Sequence, residues 1–257
     1  MKKIICLLGC CMMYVGVVAQ CNPNDQVESW YDWFKDMQNQ TIEMYGKPLT
    51  VAQENQVGDS IHLQLINETP LIGEHAKQRH INQMVKRISQ YVERKEVRYQ
   101  IHVLADRSTL NAFSIAGGHV YITEKMLEWV ENDDELAFII AHEIAHIDRK
   151  HGARKVQTSE LAAALIGQYD PSFAGLASQA VLVATAPFGQ IDEYEADKWG
   201  AVLANKAGFN PRKGLRFFQK MGEKEQYSMY EKIIRTHPYS VERINCLDDF
   251  LRNELGL

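Results

Sequence analysis

Apolar residues recur along this chain at two periods, and the switch from one to the other marks out its elements. From Pro70 to about Arg94, the residues Ile72, Ala76, Ile81, Met84, Val85, Ile88 and Val92 return at helical spacing among charged neighbours, which predicts a surface helix with one core face. From Val97 to Leu104, Val97, Tyr99, Ile101 and Val103 alternate with Arg98, Gln100 and His102, the pattern of a half-buried strand. Two short extended runs, Asn111 to Ser114 and His119 to Thr123, flank Gly117-Gly118, a pair that suits a tight hairpin turn. Asn132-Asp133-Asp134 then offers caps for a helix starting near Glu135. That helix is apolar nearly all round from Leu136 to Ile147, so it should be buried.

Helical patterns dominate the rest. Ser159–Gly167, Ser172–Ala184 and Ile191–Ala207 are separated by Tyr169-Asp170-Pro171 and by Ala186-Pro187-Phe188-Gly189, and the first two are each too short to span a bilayer. Asn210-Pro211 opens a helix to about Gln226, and Pro238 begins the last, to about Leu255. Near the N-terminus, Trp30, Trp33, Phe34, Met37 and Met44 fit one face of an amphipathic helix between Asp25 and Tyr45. Gly46-Lys47-Pro48 breaks it, and the stretch to about Asp59 is polar and predicts a loop. Few strands ahead of many helices predict an α+β domain, mostly helical, with a small antiparallel sheet beside the buried helix.

Composition narrows the picture. A hydrophobic fraction of 46% suffices for a real core, and a formal charge of −5 leaves no basic excess for nucleic acid. Met1-Lys2-Lys3, the apolar run from Ile4 to Val18, and Val17-Val18-Ala19 form a signal peptide over residues 1–19, which predicts export. Residues 20–69 then form an N-terminal helix and linker region, and 70–257 the main domain. Cys21 and the run Leu7-Leu8-Gly9-Cys10 leave a lipid anchor as the competing outcome, with membrane association through it or through envelope partners. Of the five cysteines only Cys21 and Cys246 outlast the signal segment, and one bridge between them or two free thiols fit equally.

The chemistry lies in His142-Glu143-Ile144-Ala145-His146. A helix returns to one face every fourth residue, so His142 and His146 present their rings together and can share one metal ion. Glu143 sits one residue round, within reach of a water but off the metal face. Two histidines and a glutamate inside the apolar run around Phe138-Ile139-Ile140-Ala141 are costly to bury unless something satisfies them. A third ligand must come from elsewhere, and Glu193-Tyr194-Glu195-Ala196-Asp197 supplies candidates. Glu193 and Asp197 share a face, so Glu193 suits the metal and Asp197 the far nitrogen of a ligand histidine, with Glu195 pointing away. His151 falls at the helix end, where a cation suits the dipole. His62, His75, His80 and His102 have no motif around them and are read as surface residues.

Asn111-Ala-Phe, Gly117-Gly118-His119-Val-Tyr-Ile-Thr, His142-Glu-Ile-Ala-His146, His151 with Gly152-Ala153-Arg154, Glu193-Tyr-Glu-Ala-Asp197, and His237-Pro238 with Arg243 stand in order along the chain. Over roughly Gly73 to Arg243 the sequence thereby resembles the HtpX and CAAX prenyl protease family of zinc metallopeptidases, especially its soluble exported members. The resemblance implies one Zn²⁺ on His142, His146 and Glu193, with Asp197 behind a ligand. It implies a gluzincin-like core in which substrate adds as a strand along His119–Thr123. Asn111, Gly118, His119, Val120, Tyr121 and Arg243 are then the substrate-binding residues. His237 is implied either to plug the open metal position or to stabilise the oxyanion, which makes it, with Glu143, a catalytic candidate.

The expected reaction is endopeptidase hydrolysis of unfolded or misassembled proteins in the bacterial periplasm or cell envelope, a quality-control role that comes from the resemblance alone. Its rival is a chaperone-like or auto-inhibited binding protein that uses the same cleft with little turnover. Polypeptides are the expected partners, and the sequence leaves the oligomeric state open.

Overall fold

The computed structural model describes residues 48–73, 77–158, 188–223, 237 and 241–257. The signal segment, the Asp25–Tyr45 helix and the helices expected over Ser159–Gly167 and Ser172–Ala184 lie outside the described residues. Among the described residues the chain is mostly helical with one small sheet, as the periodicities predicted.

The first described helix, α1 (Val51–Glu68), overturns the loop expected up to Asp59. Thr50 caps it in a reciprocal box, its hydroxyl accepting from the Gln53 N–H at 3.3 Å while the Thr50 N–H donates to Gln53 Oε1 at 3.0 Å. Its inward positions are Glu54, Gly58, Ile61 and Leu65, correctly spaced but half of them not apolar, which hid the stripe from a hydrophobic reading. Glu54 is admitted because Arg94 Nη2 donates to both its oxygens at 2.9 Å, and Gly58 because a Cβ there would stand 2.1 Å from the Ala116 carbonyl oxygen. The second helix, α2 (Gln78–Ile88), buries Ile81, Met84, Val85 and Ile88 but begins later than predicted. Leu71 and Ile72, in the expected helical stretch, instead pair with β-structure, Leu71 bridging Leu104 and the Ile72 N–H donating to the Val103 carbonyl at 2.9 Å.

Strands β1 (Gln100–Leu104), β2 (Ala112–Ile115) and β3 (His119–Thr123) form a sheet in the order β1-β3-β2. β2 and β3 make the expected hairpin, turning at Ala116–Gly118, where Gly117 and Gly118 take φ of 81° and 93°. The sheet is mixed, however, because β1 pairs parallel with β3. β3 is therefore the central strand. The edge role expected of His119–Thr123 fails, since both its hydrogen-bonding sides are spent on β1 and β2. Ile101, Val103, Ala112, Val120 and Ile122 join the larger core with α2 and the next long helix, while Leu104, Phe113, Ile115 and Tyr121 pack with Ile61 and Leu65 of α1.

After the short helix α3 (Glu124–Trp129), α4 (Asp133–Asp148) starts at the predicted cap, where Asn132 Oδ1 accepts from the Glu135 N–H at 3.0 Å. Every residue from Glu135 to Asp148 is buried. α5 (Gln190–Lys206), α6 (Pro211–Glu223) and α7 (Val241–Asn253) close over it, with α5 packed along α4. Cys246 on α7 is disulfide-bonded, its partner lying outside the described residues. No helix among the described residues is long and apolar enough to cross a membrane.

The C-terminal end of α4 is tied to its surroundings by polar bonds. Arg94 Nη1 donates to the Ile147 carbonyl at 2.9 Å, and the Asp148 carboxylate accepts from the Arg94 N–H at 2.8 Å and from Trp199 Nε1 at 2.7 Å. Because Arg94 is 7% exposed and Glu54 2%, Glu54→Ala leaves a buried guanidinium without its carboxylate. The substitution should cost about 3 kcal/mol in chemical denaturation, whereas Leu63→Ala on the exposed face of α1 should be nearly neutral.

Candidate metal centre

α4 presents His142 and His146 on one face, as their spacing requires, with their Nε2 atoms 3.1 Å apart. α5 faces them with Glu193, whose Oε2 lies 3.5 Å from His142 Nε2 and whose Oε1 lies 3.5 Å from His146 Nε2. The helices approach closely because α5 has Gly200 at the crossing, where a Cβ would stand 2.9 Å from the backbone N and Cα of His142. His237 completes the group, its Nδ1 3.3 Å from His142 Nε2 and 3.0 Å from Glu193 Oε1. One donor atom from each of these four buried residues lies within 4.8 Å of all the others, an arrangement able to hold a metal ion.

The donor set fits a cation. His142 Nε2 faces His146 Nε2, His237 Nδ1 and Glu193 together, and the single proton it can carry does not satisfy three neighbours. The charges point the same way. Three buried carboxylates, Glu143, Glu193 and Asp197, are in direct contact with the cluster, against one buried guanidinium, Arg243. A divalent ion would answer both deficits.

Around the four donors stands a ring of positioning groups. Asp197 Oδ1 lies 3.0 Å from His142 Nδ1, and Arg243 holds Asp197 by two hydrogen bonds, from Nε at 2.8 Å and Nη2 at 2.7 Å. Arg243 Nη1 also reaches Glu193 Oε2 at 2.7 Å. Ser114 Oγ, from β2, donates to Glu143 Oε2 at 3.0 Å, and His237 Nε2 stands 3.3 Å from the other Glu143 oxygen. Phe188 stacks on the His146 ring with centroids 3.9 Å apart.

Burial disfavours the charged form of every group here. At His142 the Asp197 and Glu193 carboxylates overcome that penalty and raise the pKa to about 10. At His146 burial prevails over Glu193, helped by His142 and His151, and holds the ring well below its ordinary value. Burial pushes Glu193 up, but His237, Arg243 and the two α4 histidines bring its carboxyl well below the usual range. Asp197 is likewise lowered against its burial, by Arg243 and His142.

The sequence-predicted residues divide sharply. His142, Glu143, His146, Glu193, Asp197 and His237 come together, and Arg243 joins them by binding the two carboxylates of α5. The strand residues do not. His119 and Tyr121 lie on the α1 side of the sheet, Val120 is in the core under α4, and Gly118 is a close-packing position where a Cβ would stand 2.2 Å from the Arg98 carbonyl oxygen. Asn111 is buried at the start of β2, its carbonyl accepting from the Thr123 N–H.

His151 is no exposed dipole cation. After Lys150 takes a left-handed φ of 60°, the chain turns back and buries His151, whose Nδ1 lies 2.8 Å from His146 Nδ1 and whose Nε2 lies 3.3 Å from Glu195 Oε2. Glu195 points away from the four donor atoms, as expected, and holds His151 instead. Ser114 went unread in the sequence as well, because nothing local distinguishes it from any other strand serine.

Comparison with known proteins agrees with this geometry. Residues 75–251 match Peptidase family M48. The chain is 28% identical over 214 residues to the beta-barrel assembly-enhancing protease of Escherichia coli (strain K12), covering 77% of this chain and 44% of that protein. It is 29% identical over 217 residues to the protein of that name from Yersinia pestis, covering 78% and 44%. To the mitochondrial metalloendopeptidase OMA1 of Schizosaccharomyces pombe it is 29% identical over 182 residues, covering 69% and 54%. The chain spans about half the length of these relatives.

Gly200 sets the separation of the two ligand-bearing helices. Gly200→Ala should lower stability by about 1–3 kcal/mol and weaken metal retention, read as a fall in Tm and as faster loss of bound metal to a chelator.

Proposed function

The chain belongs to peptidase family M48, a family of metal-dependent peptidases, and from that premise we propose that it is a zinc endopeptidase acting on unfolded or misassembled polypeptides in the bacterial cell envelope. The observation that carries the reading is the convergence of His142, His146 and Glu193 beside the Glu143 carboxylate. These three residues would hold the ion, and two imidazoles with a carboxylate suit zinc. A zinc ion held there would polarise the scissile carbonyl and acidify a water molecule.

The chain's own groups do the rest. Glu143 takes the proton from the attacking water and passes it to the leaving amine, with Ser114 donating to one of its oxygens and so fixing its orientation. Asp197, clamped by Arg243, stands behind His142 Nδ1, and His151 stands behind His146 Nδ1, an arrangement that would leave both Nε2 atoms free to hold an ion. We read His237 as a plug rather than an oxyanion donor, because its Nδ1 sits among the ligand atoms. A substrate strand would lie along β2, the outer strand next to α4 and the one that supplies Ser114.

The envelope assignment draws on the signal peptide over residues 1–19 and on the relatives named for β-barrel assembly. Within the family the motifs favour soluble exported members akin to HtpX and the CAAX prenyl proteases. A lipid anchor at the mature N-terminus is the alternative to free secretion, and the mass of the mature chain decides between them.

The test is cleavage of an unfolded protein by the mature chain. Glu143→Gln should keep its zinc and lose at least about 100-fold in rate; cleavage at the parental rate would sink the mechanism. His237→Ala should cleave faster than the parent, while a slower variant would make His237 an oxyanion donor. Equal protection of the unfolded protein from aggregation by the parent and by Glu143→Gln, with neither cleaving it, would favour the chaperone-like reading.

A further inference from the structure

On the opposite face of the sheet a second set of imidazoles converges. His62 comes from α1, His102 from β1 and His119 from β3, and one ring nitrogen of each lies within 4.8 Å of the other two. His102 Nε2 and His119 Nδ1 are 3.0 Å apart, close to the separation of about 3.3 Å that two imidazole nitrogens have on one tetrahedral zinc. The His62 ring lies 4.5 Å from that of His102 and 4.9 Å from that of His119, centroid to centroid. His119 is buried and the other two are half-buried, so they are not the free surface residues that His62 and His102 were expected to be. His80, by contrast, is an exposed partner of Asp133, and His75 lies outside the described residues.

Two neighbours prepare these rings as ligands. Asp59 Oδ1 lies 3.0 Å from His119 Nε2 and accepts a hydrogen bond from its N–H, which leaves Nδ1 as a lone pair directed at His102. The Tyr121 hydroxyl oxygen lies 2.8 Å from His62 Nδ1, and in the tautomer whose Nδ1–H donates to it, Nε2 of that ring is a lone pair. A carboxylate or hydroxyl behind a ligand histidine is the usual way a metal site fixes ring tautomer and orientation.

We propose that His62, His102 and His119 form a second metal site, separate from the one on α4, which takes a divalent transition ion that prefers imidazole and staples α1 to the sheet. Phe113, Ile115, His119 and Tyr121 share the α1 face, whereas Ser114 turns to the α4 face and Glu143, so the sheet stands between the two sites. Three imidazoles, one of them backed by the Asp59 carboxylate, suit zinc, nickel or copper better than magnesium or calcium. The ligands come from three elements distant in sequence, so the ion would cross-link them. α1 in turn supplies Glu54 to Arg94, which is bonded to the end of α4, and Gly58 to the hairpin turn.

Zinc content separates the two sites without reference to activity. The full mature chain, stripped of metal, loaded with Zn²⁺ and dialysed, should retain about two ions per chain, and His142→Ala with His146→Ala should retain about one. His62→Gln with His102→Gln should likewise retain about one, and the four substitutions together should leave none. Zn²⁺ should raise the Tm of the His142→Ala, His146→Ala chain, and His62→Gln with His102→Gln should abolish that rise. No retained zinc in the His142→Ala, His146→Ala chain overturns the proposal, as does zinc retained there regardless of the glutamine substitutions. Should the variants not fold, the parental chain decides, with about one ion against the second site and about two for it. A parental chain that loses all its zinc on the glutamine substitutions would instead count against the α4 site, so the two readings fail separately.

Discussion

The need to balance buried charge inside α4 governs the rest of this structure. His142, Glu143 and His146 sit on a helix buried from Glu135 to Asp148, where a polar group left without a partner is costly. Glu193 and Asp197 answer the histidines and Arg243 answers those two carboxylates, and with Glu143 the buried carboxylates still outnumber the guanidinium, which favours a cation there. Such a cluster contributes little to stability by itself, because desolvation consumes most of the Coulombic gain. It persists because the apolar packing of α4, α5 and the sheet holds it in place.

That packing explains why residues remote from the chemistry matter to it. Gly200 lets α5 approach the backbone of His142, and the left-handed Lys150 turns the chain so that His151 reaches back to His146. Both act on the position or orientation of a histidine of the cluster without belonging to it. The sheet works similarly. It delivers Ser114 to Glu143 on one face and assembles His62, His102 and His119 with Asp59 on the other, so a three-stranded element separates the α4 cluster from a second histidine cluster.

Much of the site was legible in one dimension, and for a single reason. Spacings of four residues on a helix place His142 with His146 and Glu193 with Asp197 whatever the rest of the fold does. The cap at Asn132, the alternation through β1 and the glycine hairpin are equally local, and all three stand. α1 was missed because its inward positions include a glutamate and a glycine, and a hydrophobic pattern has no symbol for a charge whose partner lies 40 residues away.

What the sequence by itself determined, then, is which side chains each helix or hairpin presents together. Tertiary structure alone decided which elements meet. It made β3 a central strand rather than a substrate edge, since strand order depends on a crossover that no local pattern encodes. It drew His151 behind His146, turned Arg243 onto two carboxylates, and gathered three histidines separated by up to 57 positions between His62 and His119. Periodicity constrains one element at a time, whereas contacts between elements arise from packing the whole core and satisfying every polar group buried with it.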